Sequence, residues 1–474
     1  ISGVTTLNVS NDSISDLTGI EDFTALTNLY CRYNQLTNLD VSGATALTIL
    51  QCNDNQLTSL DVSSNTALTT LTCYSNQLTN LDVSGATALT TLRCPSNQLT
   101  SLDVSNNTAL IDLDCYSNQL TNLDVSGATA LTDLHCKDNQ LTSLDVSSNT
   151  ALTTLFCAIN QLTNLDLSSN TALTNLFCWD NQLDSLDVSN NTALTHLKSQ
   201  TNQLTSLDVS GATALTDLYC NENNLDSLDV SNNTALTWLR CQDNQLTNLD
   251  VSGATALTSL HCQTNQLTSL DVSNNTALTW LYCHENPELY CIEVVDVDQA
   301  EQTWGGYLSD WMALSDDCEN YELIIISSDT LLVTEDSSAT VDFQGNDLIV
   351  NVTVPGLSII DSSNHGIISI VGDTMLTYTP APDFFGYDTI QYALNGTTAG
   401  DTGFVFITVV NVDDVPVVAN PLSDITVNED TQDTVVADLD VVFIDIDDEL
   451  EYSHMIGDTT LVFAAVSNDT VTLQ

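Results

Sequence analysis

A strict 21-residue repeat restricts the first 290 residues or so to a coil of stacked, near-identical turns. Cysteine recurs at this interval from Cys31 to Cys178 and from Cys220 to Cys283, with Ser199 in the one intervening place. Asn34 begins a second series that ends at Asn286, so the pattern runs through 13 turns. A repeat of this kind predicts a solenoid, in which each turn packs only against its neighbours.

The repeat unit predicts a short strand followed by a turn. Residues 26–41 read Leu-x-x-Leu-x-Cys-x-x-Asn-x-Leu-x-x-Leu-x-Val. Leu29 and Cys31 alternate with polar neighbours, which indicates a strand with one buried face. Asn34 follows where the backbone must turn, and we expect its amide to bond the loop backbone and support the next turn. Small polar runs form the return, and 21 residues leave no space for a long helix.

This unit resembles the leucine-rich repeat family, whose pattern is Leu-x-x-Leu-x-Leu-x-x-Asn-x-Leu. The likeness covers about residues 5–290 and is closest to the 21-residue subclass in which Cys replaces the third Leu and Leu-Asp-Val-Ser follows. The resemblance implies a solenoid with a parallel sheet on one face, on the order of 60 Å long. It also implies a secreted bacterial protein, similar to those of Bacteroidetes.

Three repeated columns have competing interpretations. We interpret the cysteines as small buried hydrophobes that replace Leu, because in-register thiols suit a disulfide poorly and Ser199 shares their column. The threonine columns favour an ice-binding face only weakly, because they lack the Thr-x-Thr pairing. An aspartate column either accepts backbone bonds from the turn that follows it or forms a row of weak Ca²⁺ or Na⁺ sites. Its members are Asp40, Asp61, Asp82, Asp103, Asp124, Asp145, Asp166, Asp187, Asp208, Asp229, Asp250 and Asp271.

The repeats differ mainly at four positions around the predicted strand, and this contrast locates a candidate binding face. All five Lys and Arg residues and four of the six His residues occur in these variable columns. Strand alternation points these side chains away from the core, and exposed Trp, Tyr and Arg dominate binding hot spots. Neutral variation on a tolerant surface is the competing interpretation. The candidate ligand-binding residues are Tyr30, Arg32, Arg93, Tyr116, His135, Lys137, Phe156, Phe177, Trp179, Lys198, Tyr219, Trp238, Arg240, Trp280 and Tyr282.

The composition limits the kinds of molecule that this chain is expected to bind. The chain has 63 acidic against 5 basic residues and a formal net charge of −58, which argues against nucleic acid and anionic membranes. A surface glycan and a protein partner both remain open. Scattered His residues without a Ser or Cys partner at defined spacing, and the lack of a Gly-rich phosphate loop, predict a protein without catalytic activity. We find no apolar run of 18 residues that could insert into a bilayer.

After Asn286 the pattern breaks at Pro287, and two cysteines stand outside the series. This segment resembles the Cys-flanked C-terminal cap of secreted bacterial leucine-rich repeat proteins. The resemblance implies a disulfide between Cys291 and Cys318, which would stabilise the fold by about 3 kcal/mol and indicate an oxidising compartment outside the cytoplasm.

From about residue 324 the sequence predicts short strands without helical periodicity, which is typical of a β-sandwich. Residues 376–389 and the run Val412-Asp413-Asp414-Val415-Pro416 resemble bacterial cadherin-like and immunoglobulin-like tandem modules. The fold class is therefore mainly β, with a solenoid at 1–286, a cap at 287–323, a sandwich at 324–414 and a second, truncated sandwich at 415–474.

In tandem modules of this kind, acids at the junctions resemble ligands of structural Ca²⁺, which would stiffen a stalk. A solvated acidic loop is the alternative. The candidate metal ligands are Glu335, Asp336, Asp413, Asp414, Glu429, Asp430, Asp445, Asp447 and Asp448.

Together these features predict part of a longer, extracellular, cell-surface adhesin, with the solenoid as binding face and the sandwiches as stalk. Two alternatives remain: a glycan-binding accessory region of a large secreted enzyme, and a structural subunit of a surface filament.

Overall fold

The computed structural model describes residues 3–306, 308, 312–426, 433–453, 464–467 and 469–473. The chain divides into two compact units, residues 1–318 and 319–474. The first unit is a solenoid with its cap, and the second contains antiparallel sheets of an immunoglobulin-like sandwich. The predicted mainly β fold, a leucine-rich-repeat solenoid with a parallel sheet followed by β-sandwich structure, is confirmed.

One parallel sheet of 14 strands runs along the solenoid, with successive repeats in register so that Leu29 pairs with Leu50 and Leu50 with Leu71. Each strand has three residues, of which the central Leu points into the core. The strands are Thr6–Asn8, Asn28–Tyr30, Ile49–Gln51, Thr70–Thr72, Thr91–Arg93, Asp112–Asp114, Asp133–His135, Thr154–Phe156, Asn175–Phe177, His196–Lys198, Asp217–Tyr219, Trp238–Arg240, Ser259–His261 and Trp280–Tyr282.

The cysteine column lies inside the coil, next to the central leucines. All 12 of its cysteines are free and buried. Burial raises the pKa of the Cys31 thiol to about 12 and that of Cys220 to about 12. A thiol with such a pKa stays protonated at neutral pH, and it therefore packs as a small apolar group rather than acting as a nucleophile or metal ligand.

The Asn34 series connects each repeat to the preceding one. The Asn55 amide nitrogen donates to the carbonyl oxygens of Cys31 at 2.9 Å and of its own Cys52 at 3.0 Å. The Asn55 amide oxygen accepts the N–H of Leu36 at 3.0 Å. These bonds satisfy backbone groups that the turn would otherwise leave unpaired inside the coil.

A second side of the coil carries short strands that end at the aspartate column. Each Asp in this series accepts the N–H of the Ser two residues later, for example Ser42 to Asp40 at 2.9 Å and Ser147 to Asp145 at 2.9 Å. The strands on this side are Ser59–Asp61, Asn80–Asp82, Ser101–Asp103, Asn122–Asp124, Ser185–Asp187, Ser206–Asp208, Ser227–Asp229, Asn248–Asp250 and Leu270–Asp271. We call this side the uniform face.

The return turn packs against the preceding repeat in one of two ways. Where a repeat has Asn at the buried turn position, as at Asn65, its amide donates to the carbonyl oxygens of Val41 and Ala44 in the preceding repeat, both at 3.0 Å. Other repeats have Ala there, as at Ala44 and Ala86, preceded by Gly. A Cβ on Gly85 would lie 1.7 Å from the carbonyl oxygen of Ser63, so these turns approach the preceding backbone too closely for any side chain.

The variable column two residues after the cysteines, which begins at Tyr33, has a backbone role that the residue pattern did not predict. Its 13 residues all have left-handed backbone conformation, from Tyr33 (φ 56°) through Ile159 (φ 52°) to Glu285 (φ 57°). Residues other than Gly, Asn and Asp adopt this conformation only at a cost in free energy. The turn that places Asn34 and its equivalents under the strand imposes it in every repeat.

The cap covers the last repeat with a short sheet and a helix. Strand Cys291–Glu293 pairs with Leu270–Asp271 and with Ala313–Ser315, and helix Val297–Trp304 follows, capped at its start by Asp296. Cys291 and Cys318 form a disulfide with their Cα atoms 5.7 Å apart. At the other end of the coil, the 3₁₀ helix Ile20–Asp22 lies between strands Thr6–Asn8 and Asn28–Tyr30.

The sandwich of the second unit packs one four-stranded sheet against smaller ones around Tyr378, Tyr392, Phe343 and Val405. Two of its strands, Asp329–Thr334 and Gly356–Asp361, were not predicted from the sequence. Its strands are Leu323–Ile325, Asp329–Thr334, Ala339–Asp342, Leu348–Val350, Gly356–Asp361, Gly366–Val371, Met375–Pro380, Gly386–Asn395 and Gly400–Val410. Beyond them lie Val417–Val418, Thr434–Asp438, helix Leu439–Val442, Phe443–Ile444, Ala464–Ser467 and Thr470–Leu473.

Candidate functional site

The candidate binding residues lie on the outward side of the 14-stranded sheet, which we call the variable face. In each three-residue strand the central Leu is buried, and the first and third residues point away from the core. None of the 15 candidate residues is buried. In the column that follows the cysteines, however, Asn53, Pro95, Ala158 and Asn221 are buried, so only part of that column forms surface.

Aromatic rings from consecutive repeats contact one another in the middle of the variable face. The ring centres of Phe156 and Phe177 are 4.4 Å apart, and Trp179 meets Phe156 edge-on at 5.2 Å. His135 extends the row, 5.4 Å from Phe156. Contacts of this geometry hold the rings in fixed positions on the sheet.

Four of the five basic residues lie over aromatic rings, Arg32 over Tyr33 at 6.0 Å and the other three in and beside this row. Lys137 Nζ is 5.4 Å from the ring centre of Trp179. Lys198 Nζ lies between two rings, 5.7 Å from Phe177 and 4.9 Å from Tyr219, and Arg240 Cζ is 5.0 Å from Tyr219. These are cation–π distances, which leave the charged groups available at the surface.

Two further tryptophans of the variable face, Trp238 and Trp280, lie toward the C-terminal end of the sheet. They occupy the first strand position and are 38% and 51% exposed, more than Trp179, the third tryptophan of the repeats. His261 stacks near Tyr282 with ring centres 4.6 Å apart. Burial, and secondly the charge of Arg240, lower the pKa of His261, so this imidazole is neutral at physiological pH.

An acidic depression that the sequence analysis missed lies toward the N-terminal half of the face. Its lining includes Tyr74, Tyr116, Asp114 and His135. Arg93 pairs with Asp112 at 2.8 Å. Burial raises the pKa of Asp114, although His135 and the nearby N–H of Tyr116 act in the opposite direction. The acidic residues of the variable columns indicate this depression, but only aromatic and basic residues of those columns were predicted to bind a ligand.

The uniform face uses its side chains for internal bonds. The hydroxyl of Thr79, next to strand Asn80–Asp82, donates to the carbonyl oxygen of Thr58 at 3.3 Å, and Thr205 and Thr247 repeat this bond to the preceding repeat. Side-chain and backbone bonds from Ser42 lower the pKa of Asp40, and Ser147 does the same for Asp145. These bonds match the local-turn interpretation of the aspartate column.

In the second unit, several of the candidate metal ligands gather near the end of strand Gly400–Val410. Glu335 is 2% exposed, accepts the N–H of Val412, and has a second carboxylate oxygen that is buried without a hydrogen-bond partner. The Asn411 amide lies between Glu335 Oε1 and Asp447 Oδ1, at 3.2 and 2.9 Å. Partial desolvation and the charges of Asp336 and Asp447 raise the pKa of Asp414.

The remaining candidate ligands are not brought together in this way. Asp445 accepts the N–H of Asp447 at 3.0 Å, and Asp413 and Asp448 are exposed. Glu429 and Asp430 lie outside the described residues. Within the described ranges, no group of three or more His, Cys, Asp or Glu side chains is arranged to hold a metal ion. Nor does any helix there combine the length and apolar character needed to cross a membrane.

Comparison with known proteins identifies both parts of the chain. Residues 322–408 match the bacterial Ig domain family. The chain is 54% identical over 39 residues to internalin J of Listeria monocytogenes serotype 4b, a stretch that is 8% of this chain and only 4% of that protein. It is also similar to the solved functional domain of InlJ from Listeria monocytogenes, described as including a cysteine ladder. That likeness has 33% identity and a TM-score of 0.57, and covers 86% of this chain and 90% of that one. This chain therefore belongs to the internalin J-like family of leucine-rich repeat proteins with a cysteine ladder.

Proposed function

We propose that this chain is the ligand-binding region of an extracellular cell-surface adhesin, and that its variable face engages a folded protein partner. The main support is the contrast between the uniform face and the variable face of the same coil. The uniform face repeats the same residues, whereas the variable face gathers all five basic residues and Phe156, Phe177, Trp179, Trp238 and Trp280. Membership of the internalin J-like family and the Cys291–Cys318 disulfide support a location outside the cytoplasm.

The pattern of variation favours a protein over a polysaccharide. A regular polysaccharide repeats the same chemical unit along its length, and laid across strands about 4.8 Å apart it would favour a column of similar residues. The third strand position instead reads Arg93, Asp114, His135, Phe156 and Phe177 in successive repeats. Acidic, basic and aromatic groups in irregular order suit the irregular surface of a folded protein.

The geometry of the face also suits tight binding. Its rings and basic groups are fixed by contacts with one another, so little side-chain entropy remains to be lost on association. Trp, Tyr and Arg are the residue types that carry most binding energy at protein interfaces. The sheet beneath them is continuous over 14 strands, which makes the face extended and rigid.

Arrays of purified extracellular proteins and of glycans test this proposal directly. The full chain is compared with a triple variant, Trp179→Ala, Trp238→Ala and Trp280→Ala, which removes three rings from the variable face. A matched triple variant on the uniform face, Asp61→Asn, Asp103→Asn and Asp145→Asn, is the control. We expect saturable binding to array proteins that the tryptophan variant loses and the control keeps, with both variants melting as cooperatively as the parent chain.

Other outcomes separate the alternatives. Binding to a neutral glycan that the tryptophan variant abolishes would support the accessory region of a secreted enzyme. Protein binding that survives loss of the three rings would remove the variable face as the site. Concentration-dependent end-to-end assembly without any array ligand would support the surface filament. Assignment to the 21-residue subclass and to a Bacteroidetes-like source stays a prediction.

As a second proposal, Ca²⁺ stiffens the stalk at the acidic group around Glu335. The support is the buried carboxylate oxygen of Glu335 without a hydrogen-bond partner, together with Asp336, Asp414, Asp447 and the Asn411 amide nearby. A hard divalent cation takes oxygen ligands of these kinds, with carbonyl groups and water completing the set. Bound Ca²⁺ would stabilise the folded second unit by mass action.

Calorimetry of the full chain with Ca²⁺ and with EGTA tests the stalk proposal. We expect Ca²⁺ to raise the melting temperature of residues 319–474 and Glu335→Gln to remove that shift. Asp361→Asn, which changes an exposed carboxylate in the same unit, should leave the shift intact. Identical melting curves in Ca²⁺ and EGTA would eliminate the stalk site without affecting the adhesin proposal.

A further inference from the structure

Three neighbouring residues on the variable face place two positive charges over one aromatic ring. Lys198, Tyr219 and Arg240 are in direct register on three consecutive strands of the large sheet. Lys198 Nζ is 4.9 Å and Arg240 Cζ 5.0 Å from the centre of the Tyr219 ring, each reaching it from a neighbouring strand. Two like charges held against the same ring repel each other, and an anion that contacts both would remove this repulsion.

No carboxylate of this chain supplies that anion within the part that the structure describes. The ion pairs there involve Arg93 and three histidines, but neither Lys198 nor Arg240. This is unexpected in a chain with 63 acidic residues. The carboxylate on the same strand as Tyr219 belongs to Asp217, which already accepts from Thr216 at 2.7 Å and faces His196 at 3.4 Å.

The donors of the pair are also incompletely used. Arg240 Nε is shielded from solvent and has no hydrogen-bond acceptor. Unpaired polar atoms in a half-buried position cost free energy, which a bound polar group recovers.

We propose that Lys198 and Arg240, held on either side of Tyr219, form a receptor for a carboxylate group of the protein partner. This inference rests on the proposed function and deepens it by naming the chemistry of one contact. A carboxylate that contacts both cations beside the Tyr219 ring would gain charge-assisted hydrogen bonds from both and offset their repulsion. Because the chain has a net charge of −58, acidic groups are repelled at most other places on its surface, and this pair therefore adds specificity.

The two lysines of the chain, Lys137 and Lys198, make a site-specific measurement possible. Reductive methylation with ¹³C-formaldehyde keeps the charge of each lysine and gives each an NMR signal, which Lys198→Arg and Lys137→Arg assign. The probe is N-acetyl-glutamate N-methylamide, and its uncharged isostere N-acetyl-glutamine N-methylamide is the matched control. Neither probe requires the natural partner.

We expect the glutamate probe to shift the Lys198 signal saturably and to leave the Lys137 signal in place, and the glutamine probe to shift neither. Arg240→Gln should weaken probe binding roughly tenfold. Arg93→Gln removes the same charge seven strands from Arg240, where Arg93 is already paired with Asp112, and should leave the affinity unchanged.

The contrary outcomes overturn the inference in distinct ways. Equal, non-saturating shifts at both lysines would reduce the effect to general charge screening. Equal affinity of Arg240→Gln and Arg93→Gln would remove the paired receptor. Glucuronate binding much more tightly than the glutamate probe would assign the contact to an acidic sugar. The titration can succeed even where loss of the three tryptophans leaves protein binding intact, so failure of the adhesin proposal remains distinguishable.

Discussion

The variable face and the uniform face belong to the same 21-residue coil, yet their side chains have opposite roles. On the uniform face, Thr79 and Asp40 bond to backbone groups of their own or the preceding repeat. On the variable face, Phe177, Lys198 and Tyr219 contact one another instead. The comparison teaches that a repeat can separate its stability from its recognition chemistry, because only positions that bond across repeats need to be constant.

The largest expected effect is on the constant asparagines. Asn55→Ala should lower the free energy of unfolding by about 3 kcal/mol, because it leaves the Leu36 N–H and buried carbonyl groups unpaired. Asn65→Ala should cost only about 1 kcal/mol, because Ala occupies this column natively at Ala44 and Ala86. Chemical denaturation measures both, and equal costs would contradict the distinction.

The close turns give the next test. Gly85→Ala should lower the free energy of unfolding by about 2 kcal/mol, because the new methyl group meets the Ser63 carbonyl oxygen. Ser64→Ala, at the equivalent place one repeat earlier, is the control and should be nearly neutral. Thermal melting of both variants tests this prediction. Unchanged stability of the Gly85→Ala protein would show that neighbouring turns can move apart.

The left-handed column predicts a gain in stability. Ile159→Gly should raise the free energy of unfolding by about 1 kcal/mol, because a β-branched residue is strained at φ 52°. Ile111, 45% exposed and outside the left-handed region, provides the control: Ile111→Gly should lower stability. A loss of stability in both variants would mean that packing of Ile159 outweighs its backbone strain.

The variable face should tolerate substitution without loss of fold. Trp280→Thr should change the free energy of unfolding by less than about 0.5 kcal/mol, because Trp280 is 51% exposed and Thr occurs in its column at Thr70 and Thr91. Leu281→Thr, at the buried neighbouring position, should be strongly destabilising. Unfolding of the Trp280→Thr protein would show that the face also supports the coil.

The smallest expected effects are those of single carboxylates, and they have opposite signs on the two faces. Bonds from Ser147 lower the pKa of Asp145, so its charge favours folding at neutral pH, and Asp145→Asn should be slightly destabilising there. Burial raises the pKa of Asp114, so Asp114→Asn should be slightly stabilising. Both differences should fade as pH falls, for Asp114 on passing its raised pKa and for Asp145 only below its lowered one. Melting between pH 7 and 3 tests this; equal signs would contradict it.

The sequence predicted the placement of side chains well where a simple period controls it. Alternation in Leu29-x-Cys31 was enough to separate inward from outward positions, and the outward residues do share one face. It could not show which outward residues touch. The contacts of Lys198 with Phe177 and Tyr219 depend on rotamers and on register between repeats, which no spacing within one unit records.

The backbone conformations were harder to predict because their usual signals are absent. Left-handed residues are normally Gly or Asn, whereas this column holds Tyr33, Ser75 and Ile159. In the second unit, strand Asp329–Thr334 was missed because its first residues, Asp329 and Thr330, continue the polar run Ser327-Ser328, which is typical of a turn. The depression at Asp114 was missed because it requires side chains from several adjacent repeats.

The alternation of Asn and Ala in the return turn bears on how such an array can change length in evolution. Loss of one repeat, such as the one with Asn65, would put Ala44 next to Ala86 and leave the carbonyl oxygens of Val41 and Ala44 without their amide donors. Loss of two adjacent repeats would restore the original junction. Within the alternating stretch from Ala44 to Asn149, gene rearrangements that add or delete repeats in pairs should therefore survive selection more often, whereas the consecutive Asn149, Asn170 and Asn191 should tolerate loss of a single repeat. Each such change would bring a new combination of recognition residues into contact.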